Sequence, residues 1–281
     1  MELVRLSLAQ QTRSLNSRQV IDRALSEVGT VWLLGCGNMG GALLQRWLAD
    51  GLRVSVIDPA ARELPDSVMA AAAPPTGAGP DVLVVAVKPQ MLPTAAAPVL
   101  ARLKPGTLIV SVVAGVDCAA LSALFEGREV VRTMPNTPAR IGEGVTALFA
   151  PGAGRAVAEA LFAAVGACVW LGDEAQFDAV TAVSGSGPAY LFAMIEALSA
   201  AGVAAGLPVT LADELAVRTV AGAGRLAELG EATPTTLRDS VTSPGGTTAA
   251  GLALLQPALT RLMTATVAAA ARRSRELGYP V

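Results

Sequence analysis

Between Thr30 and Asp58 the chain sets five features in a fixed order: a short apolar run, three spaced glycines, a helix-forming run, a second apolar run and an acid. The first run holds Val31 and Trp32 and closes at Leu34. Gly35-Cys36-Gly37-Asn38-Met39-Gly40 follows at once, then Gly41 to Ala49, then Arg53 to Ile57 and Asp58. Strand, Gly-x-Gly-x-x-Gly, helix, strand, acid is the order of a dinucleotide-binding unit. Gly35 allows the tight turn, Gly37 lets the backbone approach a pyrophosphate, and Gly40 lets the helix pack on the strand. Asp58 stands where a carboxylate accepts from the adenosine ribose 2′-OH, which favours NAD and repels a 2′-phosphate. Arg62 either folds over to answer such a phosphate or is a solvated arginine of the next turn. The pattern leaves NADH and NADPH both open.

The runs that follow extend a parallel sheet. Asp81 to Val87 is continuously apolar, as expected of a strand buried on both faces. It ends in Lys88-Pro89-Gln90, at the kind of strand end where ligands sit in an open α/β sheet. Leu108 to Val113 and Glu129 to Arg132 are further strands, the second followed by Thr133-Met134-Pro135-Asn136-Thr137-Pro138. Asn136 is either a turn residue satisfying its own backbone or a cofactor or substrate contact. Val145 to Phe149 and Ala167 to Leu171 complete the sheet.

After Gly172 strand-like patterning stops. Phe177 to Ala205, Val209 to Leu229, Pro234 to Thr242, Thr247 to Leu255 and Pro257 to Leu277 read as helices, several with Ala and Gly on more than one side. A helix apolar all round must be buried, and a region of this size cannot bury that many faces alone. A second copy of the chain is therefore expected to cover them. The expected organisation is an N-terminal extension over residues 1–29 with no assigned function, a dinucleotide-binding domain over 30–172, and a helical dimerisation and substrate domain over 173–281. The fold class is an α/β Rossmann-type N-terminal domain with a C-terminal all-helical dimerisation domain.

Composition narrows the chemistry. The chain contains no histidine, which excludes a histidine triad, a histidine general base and most catalytic zinc sites. No metal site is expected. A net charge of −2 argues against a nucleic-acid surface. Cys36, Cys118 and Cys168 are odd in number and widely spaced, which fits a reducing cytoplasm. Arg5, Arg13, Arg18 and Arg23 interrupt any signal-peptide core near the start. The uncharged stretches of the C-terminal half are cut by Pro and Gly, and read as a buried helical domain rather than membrane spans.

One stretch of that half stands apart. Asp239 to Gly251 reads DSVTSPGGTTAAG. Pro244, Gly245 and Gly246 break the preceding helix, and Thr248 onwards can start another. Free N–H groups at such a start favour an anion, and Thr247 and Thr248 offer uncharged hydroxyls. The alternative is a Gly-rich turn with Ser/Thr capping.

Five segments in order carry a resemblance: Gly35 to Gly40, Val85-Ala86-Val87-Lys88-Pro89-Gln90, Arg132 to Pro138, Ser184-Gly185-Ser186-Gly187-Pro188-Ala189-Tyr190, and Ser243-Pro244-Gly245-Gly246-Thr247-Thr248. Together they resemble the pyrroline-5-carboxylate reductase family over residues 30 to 277. The resemblance implies reduction of the cyclic imine 1-pyrroline-5-carboxylate to L-proline, the last step of proline synthesis. It implies NADPH as cofactor, with NADH open because of Asp58. It further implies that Gly35, Gly37, Asn38, Met39, Gly40 and Asp58 bind the cofactor. Val87, Lys88, Pro89 and Asn136 would belong to the cofactor-side loops, with Val241 and Ser243 near the nicotinamide. Gly245, Gly246, Thr247 and Thr248 would hold the substrate carboxylate, with the Thr248 hydroxyl near the imine nitrogen. Glu231 matches a family glutamate near that nitrogen, or is a solvated helix-end acid. Lys88 has a structural or solvent-facing alternative, and Ser184 to Pro188 reads first as a helix-packing segment. In the family the helical domains of two chains interlock, which sets Gly35 to Gly40 of one chain against Ser243 to Thr248 of the other.

Two other readings stand against this one. A lysine-based ketone reductase of the same architecture needs a lysine in its helical domain, whereas Lys104 is the last lysine here. A non-enzymatic nucleotide sensor has no need of the Gly-Gly-Thr-Thr stretch or the Met-Pro-Asn-Thr-Pro loop.

Overall fold

The computed structural model describes residues 24–60, 64, 68 and 70–278. Arg62 and residues 1–23 lie outside the described residues. By contacts the chain divides into two compact units, Ser186–Ala270 and the remainder, to which residues from Ala271 onward return.

The first unit is built on an eight-stranded sheet ordered β3-β2-β1-β4-β5-β6-β7-β8. In chain order the strands are β1 (Val31–Leu34), β2 (Val54–Ile57), β3 (Ala70–Ala71), β4 (Val82–Val85), β5 (Leu108–Ser111), β6 (Val130–Met134), β7 (Gly144–Phe149) and β8 (Gly166–Trp170). All neighbours pair in parallel except β6 with β7. The helices between them are α1 (Asn38–Ala49), α2 (Leu92–Leu100), α3 (Cys118–Leu124) and α4 (Arg155–Ala163).

The continuous apolar runs are explained by burial on two faces. Val31, Leu33, Val82 and Val84 pack with Leu43, Leu44 and Trp47 of α1 and Leu161 and Phe162 of α4. Their neighbours Trp32, Leu34, Leu83 and Val85 point the other way, into a cluster with Ala96 and Val99 of α2 and Leu121 of α3. That is the period-two alternation of a strand, with both sides apolar. Trp47 Nε1 donates to Leu161 O at 2.7 Å, so the indole leaves no buried donor unpaired. Arg132 is buried on β6, where it pairs with Glu174 at 3.0 Å and lies over the Phe177 ring at 4.2 Å.

Several expectations shift. Leu25 and Val28, within the expected N-terminal extension, are buried in the first cluster, while Ser26, Glu27 and Gly29 are exposed. β6 runs on through Thr133 and Met134, because Met134 pairs with Ala147 of the antiparallel β7.

After β8 come α5 (Phe177–Val180), a π-helical turn at Thr181–Gly185, α6 (Gly187–Ala204), α7 (Val209–Glu228), α8 (Pro234–Ser240) and α9 (Thr247–Leu277). The sequence predicts two helices, Thr247 to Leu255 and Pro257 to Leu277, where α9 is one. Pro257 lies inside it, and the ladder on both sides carries the helix past the single missing N–H. In the second unit α6 packs on α7 through small residues: a Cβ added at Gly202 would lie 3.3 Å from Ala212 Cβ. Among the described residues of this unit only Ser199, Ala212 and Ala216 are buried. Leu191, Phe192, Leu198, Leu211 and Leu215 are exposed in the single chain. The stretches Glu174–Ala204 and Thr247–Leu277 are long and apolar enough to cross a membrane by length and composition.

Candidate functional site

In the first unit a cleft of about 550 Å³ opens at the carboxyl ends of β1, β2 and β4, lined by Gly35, Gly37, Asp58, Val87 and Lys88 among others. This size suits a small-molecule site. Ligands of open parallel sheets bind at this end. Two other hollows, around Gly29, Gly51 and Arg53, lie at the opposite ends of the strands.

The glycines at the cleft have distinct jobs. Gly35 has φ +93°, and a Cβ there would sit 2.8 Å from Ala86 O, so the turn is open to glycine alone. A Cβ at Gly40 would run into the Gly35 carbonyl oxygen and lie 3.3 Å from Ala86 Cβ. Gly37 caps α1 with φ −73°, and a Cβ there would meet nothing within 4 Å. Its bareness therefore serves no packing among the described residues. It leaves open a cradle that a phosphate group could approach, beside the unpaired first N–H groups of α1. The residues present thus fit a dinucleotide.

Asp58 follows β2 and is half-buried. Its Oδ2 accepts from Cys36 N at 2.7 Å and its Oδ1 from Ala60 N at 2.8 Å. The acid therefore also ties the glycine turn to β2, a contact the spacing alone does not reveal. Asn38 is exposed at the first turn of α1, and Met39 packs against the core. Val87 lines the cleft and packs on the second core cluster. Lys88 is exposed, precedes the 3-10 turn Pro89–Met91, and has no ion-pair partner among the described residues. Ala72, Met91, Thr94 and Pro98 also line the cleft. Nothing in the sequence singles them out, because they carry no distinctive chemistry.

Asn136 is buried. Its Oδ1 accepts from Val145 N at 2.9 Å and its Nδ2 donates to Ser184 O at 3.3 Å. Its amide is thus engaged by distant backbone rather than by its own turn, and one amide hydrogen remains available to a ligand. The Ser184 that it holds lies in the π-helical turn, and its hydroxyl is buried without a partner among the described residues.

In the second unit the predicted residues gather at one helix start. Val241 ends α8, 64 % exposed. Gly245 has φ +70°, and Gly246 N donates to Ser243 O at 3.0 Å, closing a turn. Ala250 N donates to Gly246 O at 3.1 Å, which opens α9. The N–H groups of Thr247, Thr248 and Ala249 find no acceptor among the described residues. A helix start with unpaired N–H groups and exposed hydroxyls can hold a carboxylate. Glu231 is exposed in the loop between α7 and α8, next to Gly230 at φ +71°.

The three thiols are free. Burial first, then the Glu174 charge, pushes Cys118 up to about 12. Burial and Glu159 push Cys168 up to about 11. Burial, then Asp58, raises Cys36. None of them is primed as a nucleophile.

Comparison with known proteins bears on both units. Residues 174–277 match the family described as pyrroline-5-carboxylate reductase dimerisation. Residues 30–115 match NADP oxidoreductase, coenzyme F420-dependent. A pyrroline-5-carboxylate reductase of Pseudomonas aeruginosa is 41% identical over 260 residues, spanning 87% of this chain and 95% of that protein. This chain belongs to the pyrroline-5-carboxylate reductase family. A solved pyrroline-5-carboxylate reductase from Coxiella burnetii is similar at TM-score 0.79 and 31% identity, covering 89% of this chain and 98% of that one. The Plasmodium falciparum pyrroline carboxylate reductase, solved with NADP bound, is similar at TM-score 0.77 and 25% identity, with the same coverage of 89% and 98%.

Within the pyrroline-5-carboxylate reductase frame the predicted residues fall in both matched regions. Gly35 to Pro89 lie in the first, and Glu231 and Val241 to Thr248 in the second. Asn136 lies in neither.

Proposed function

We propose that this chain reduces 1-pyrroline-5-carboxylate to L-proline with NADPH or NADH, as a cytoplasmic homodimer joined through its helical unit. The observation that carries the reading is the presence, in one chain of this family, of a glycine-lined dinucleotide cradle and a helix start whose first three N–H groups find no acceptor among the described residues. When bound, the nicotinamide supplies the hydride; the imine carbon accepts it and the ring nitrogen ends with one more proton. The protein therefore needs little acid–base machinery, and a histidine-free chain suffices. Gly35, Gly37, Asn38, Met39 and Gly40 cradle the pyrophosphate, and Asp58 faces the adenosine ribose. Val87, Lys88, Pro89 and Asn136 form the loops on the nicotinamide side, and Val241 and Ser243 approach it from the partner chain. Gly245, Gly246 and Thr247 hold the substrate carboxylate through their backbone. Thr248 hydrogen-bonds the imine nitrogen, with Glu231 nearby.

The dimer reading rests on the exposed leucines of α6 and α7, whose burial would contribute roughly 25 cal/mol per Å². A partner chain covers these faces without a membrane, although their length and composition would allow one. The test is cofactor oxidation with 1-pyrroline-5-carboxylate, with product proline assayed directly. No turnover with either cofactor would overturn the reading.

A further inference from the structure

Resting on the reductase reading, we propose that Ser274 and Gly278, at the end of α9, are positioning residues for hydride transfer: they hold the turn after β5 at the nicotinamide end of the sheet. The order β3-β2-β1-β4-β5-β6 is that of two mononucleotide-binding halves, with a dinucleotide laid across their carboxyl ends. With Asp58 of the first half facing the adenosine ribose, the nicotinamide falls to the second half. The strands of that half, β4, β5 and β6, run on towards Lys88, Gly115 and Asn136. Gly115 therefore follows the strand that lies between those leading to Lys88 and Asn136, both assigned above to the nicotinamide side.

The turn is held from three sides, each time by residues distant in the chain. Ala114 packs on the small cluster of Met134, Ala147 and Phe177. Cys118 N, at the start of α3, donates at 2.8 Å to Glu174 Oε1, the oxygen that also pairs with Arg132. Gly115 has φ +72° and backs onto the end of α9: a Cβ there would lie 2.7 Å from Gly278 Cα and 3.2 Å from Leu277 O. Backbone meets backbone with no side chain between, so a shift of one is passed to the other.

Little keeps Gly278 in place. From Ala271 onward the chain belongs to the first unit, yet Arg272, Arg273, Arg275, Glu276 and Leu277 are exposed. Arg273 pairs within the helix, with Glu276. Among the described residues of this stretch, Ser274 alone has a side-chain hydrogen bond to another element: its Oγ donates to Asp178 Oδ1 at 2.7 Å, 96 residues back. Both residues are half-buried. Asp178 stands on α5 next to Phe177, a member of the cluster that supports Ala114. One hydroxyl thus fixes the helix end to the element that braces the turn from its other side. As a helix former serine is weaker than the alanines that precede it, so its place here is explained by the bond and not by propensity.

The test combines hydrogen exchange of the cofactor-free full-length protein with steady-state kinetics, for wild type, Ser274→Ala, Ser274→Thr and Asp178→Ala. In Ser274→Ala the amides of residues 112–118 should exchange roughly ten-fold faster, as for one lost hydrogen bond, while those of 34–41 keep the wild-type rate. With 1-pyrroline-5-carboxylate that variant should lose roughly five- to fifty-fold in kcat, since a small misplacement of the reacting centres is costly. Its cofactor KM should stay within about two-fold, because the glycine cradle is untouched. Ser274→Thr keeps the hydroxyl and should restore both exchange and kcat. Ser274→Ala and Asp178→Ala combined should be no worse than either alone. Unchanged exchange over 112–118 in Ser274→Ala overturns the proposal. So does an unchanged kcat, a loss shared by Ser274→Thr, or a loss seen only in the cofactor KM. A rate loss that vanishes as protein concentration is raised also overturns it, since that marks weakened assembly. If wild type reduces the imine and exchange over 112–118 is unmoved, this proposal falls alone. If wild type neither binds a cofactor nor turns over, the reductase reading falls and takes the proposal with it.

Discussion

The glycine turn separates folding from binding, and two alanine substitutions should show it. At Gly40 an added methyl would strike the Gly35 carbonyl oxygen and press on Ala86 Cβ at 3.3 Å. The first contact is backbone in a turn held at φ +93°, so no rotamer change relieves it and α1 must back away from β1. Overpacking of this kind costs about 1–3 kcal/mol. For a chain of this size that lowers Tm by roughly 2–12 °C. At Gly37 the same methyl meets nothing within 4 Å, and φ is −73°, which any residue adopts. Only the weaker capping of alanine remains, about 1 kcal/mol or less. That methyl stands in the space proposed for the pyrophosphate. The assay is thermal unfolding with and without cofactor. At a hundredfold excess over Kd the cofactor adds about 2.7 kcal/mol, a rise in Tm of roughly 5–10 °C for the wild type. Gly37→Ala should lower the cofactor-free Tm by no more than about 4 °C and lose most of that rise; Gly40→Ala should start low before any cofactor is added. An undiminished rise in Gly37→Ala would refute the placement of the pyrophosphate. A wild-type Tm in Gly40→Ala would refute the packing account.

Other perturbations address other links. Thr248→Ala should lower kcat by roughly ten- to a hundred-fold if its hydroxyl contacts the imine nitrogen, as for one lost polar transition-state contact; an unchanged kcat removes it from the mechanism. Asn136→Ala leaves Val145 N–H and Ser184 C=O without partners and should destabilise the fold by about 1–3 kcal/mol, read as a lower urea midpoint at constant m. Joint Leu211→Glu and Leu215→Glu substitutions place two charges on exposed apolar positions of α7. Sedimentation should show a dimer dissociating at least roughly ten-fold more readily, and an unchanged dimer constant would move the interface elsewhere.

What could be read from the sequence is what is local. The strands β1, β4 and β5 are buried on both faces, so their residues had to be apolar without interruption, and the runs are visible. The glycine turn and the start of α9 are set by Gly and Pro at the point of use, and both stand where the spacing put them. What escaped is set by partners distant in the chain. The antiparallel entry of β7, which lengthens β6 to Met134, depends on a pairing to Ala147 that no run of residues announces. β3 is two alanines whose only strand signal is their register with Val56 and Ile57. Asn136 reads as a polar loop residue, yet its amide is engaged by Val145 and by Ser184, 48 residues on.

The same distinction explains the second unit. Its helices are readable one by one, yet with three buried residues it has almost no core of its own. Small residues such as Gly202 and Ala212 account for the close approach of α6 to α7, but they bury little area, and the leucines lie elsewhere. A helical unit of this composition gains most of its hydrophobic stabilisation from surface that a single chain leaves wet. Its stability should therefore depend on protein concentration, whereas that of the two-faced sheet, whose core closes within the chain, should not.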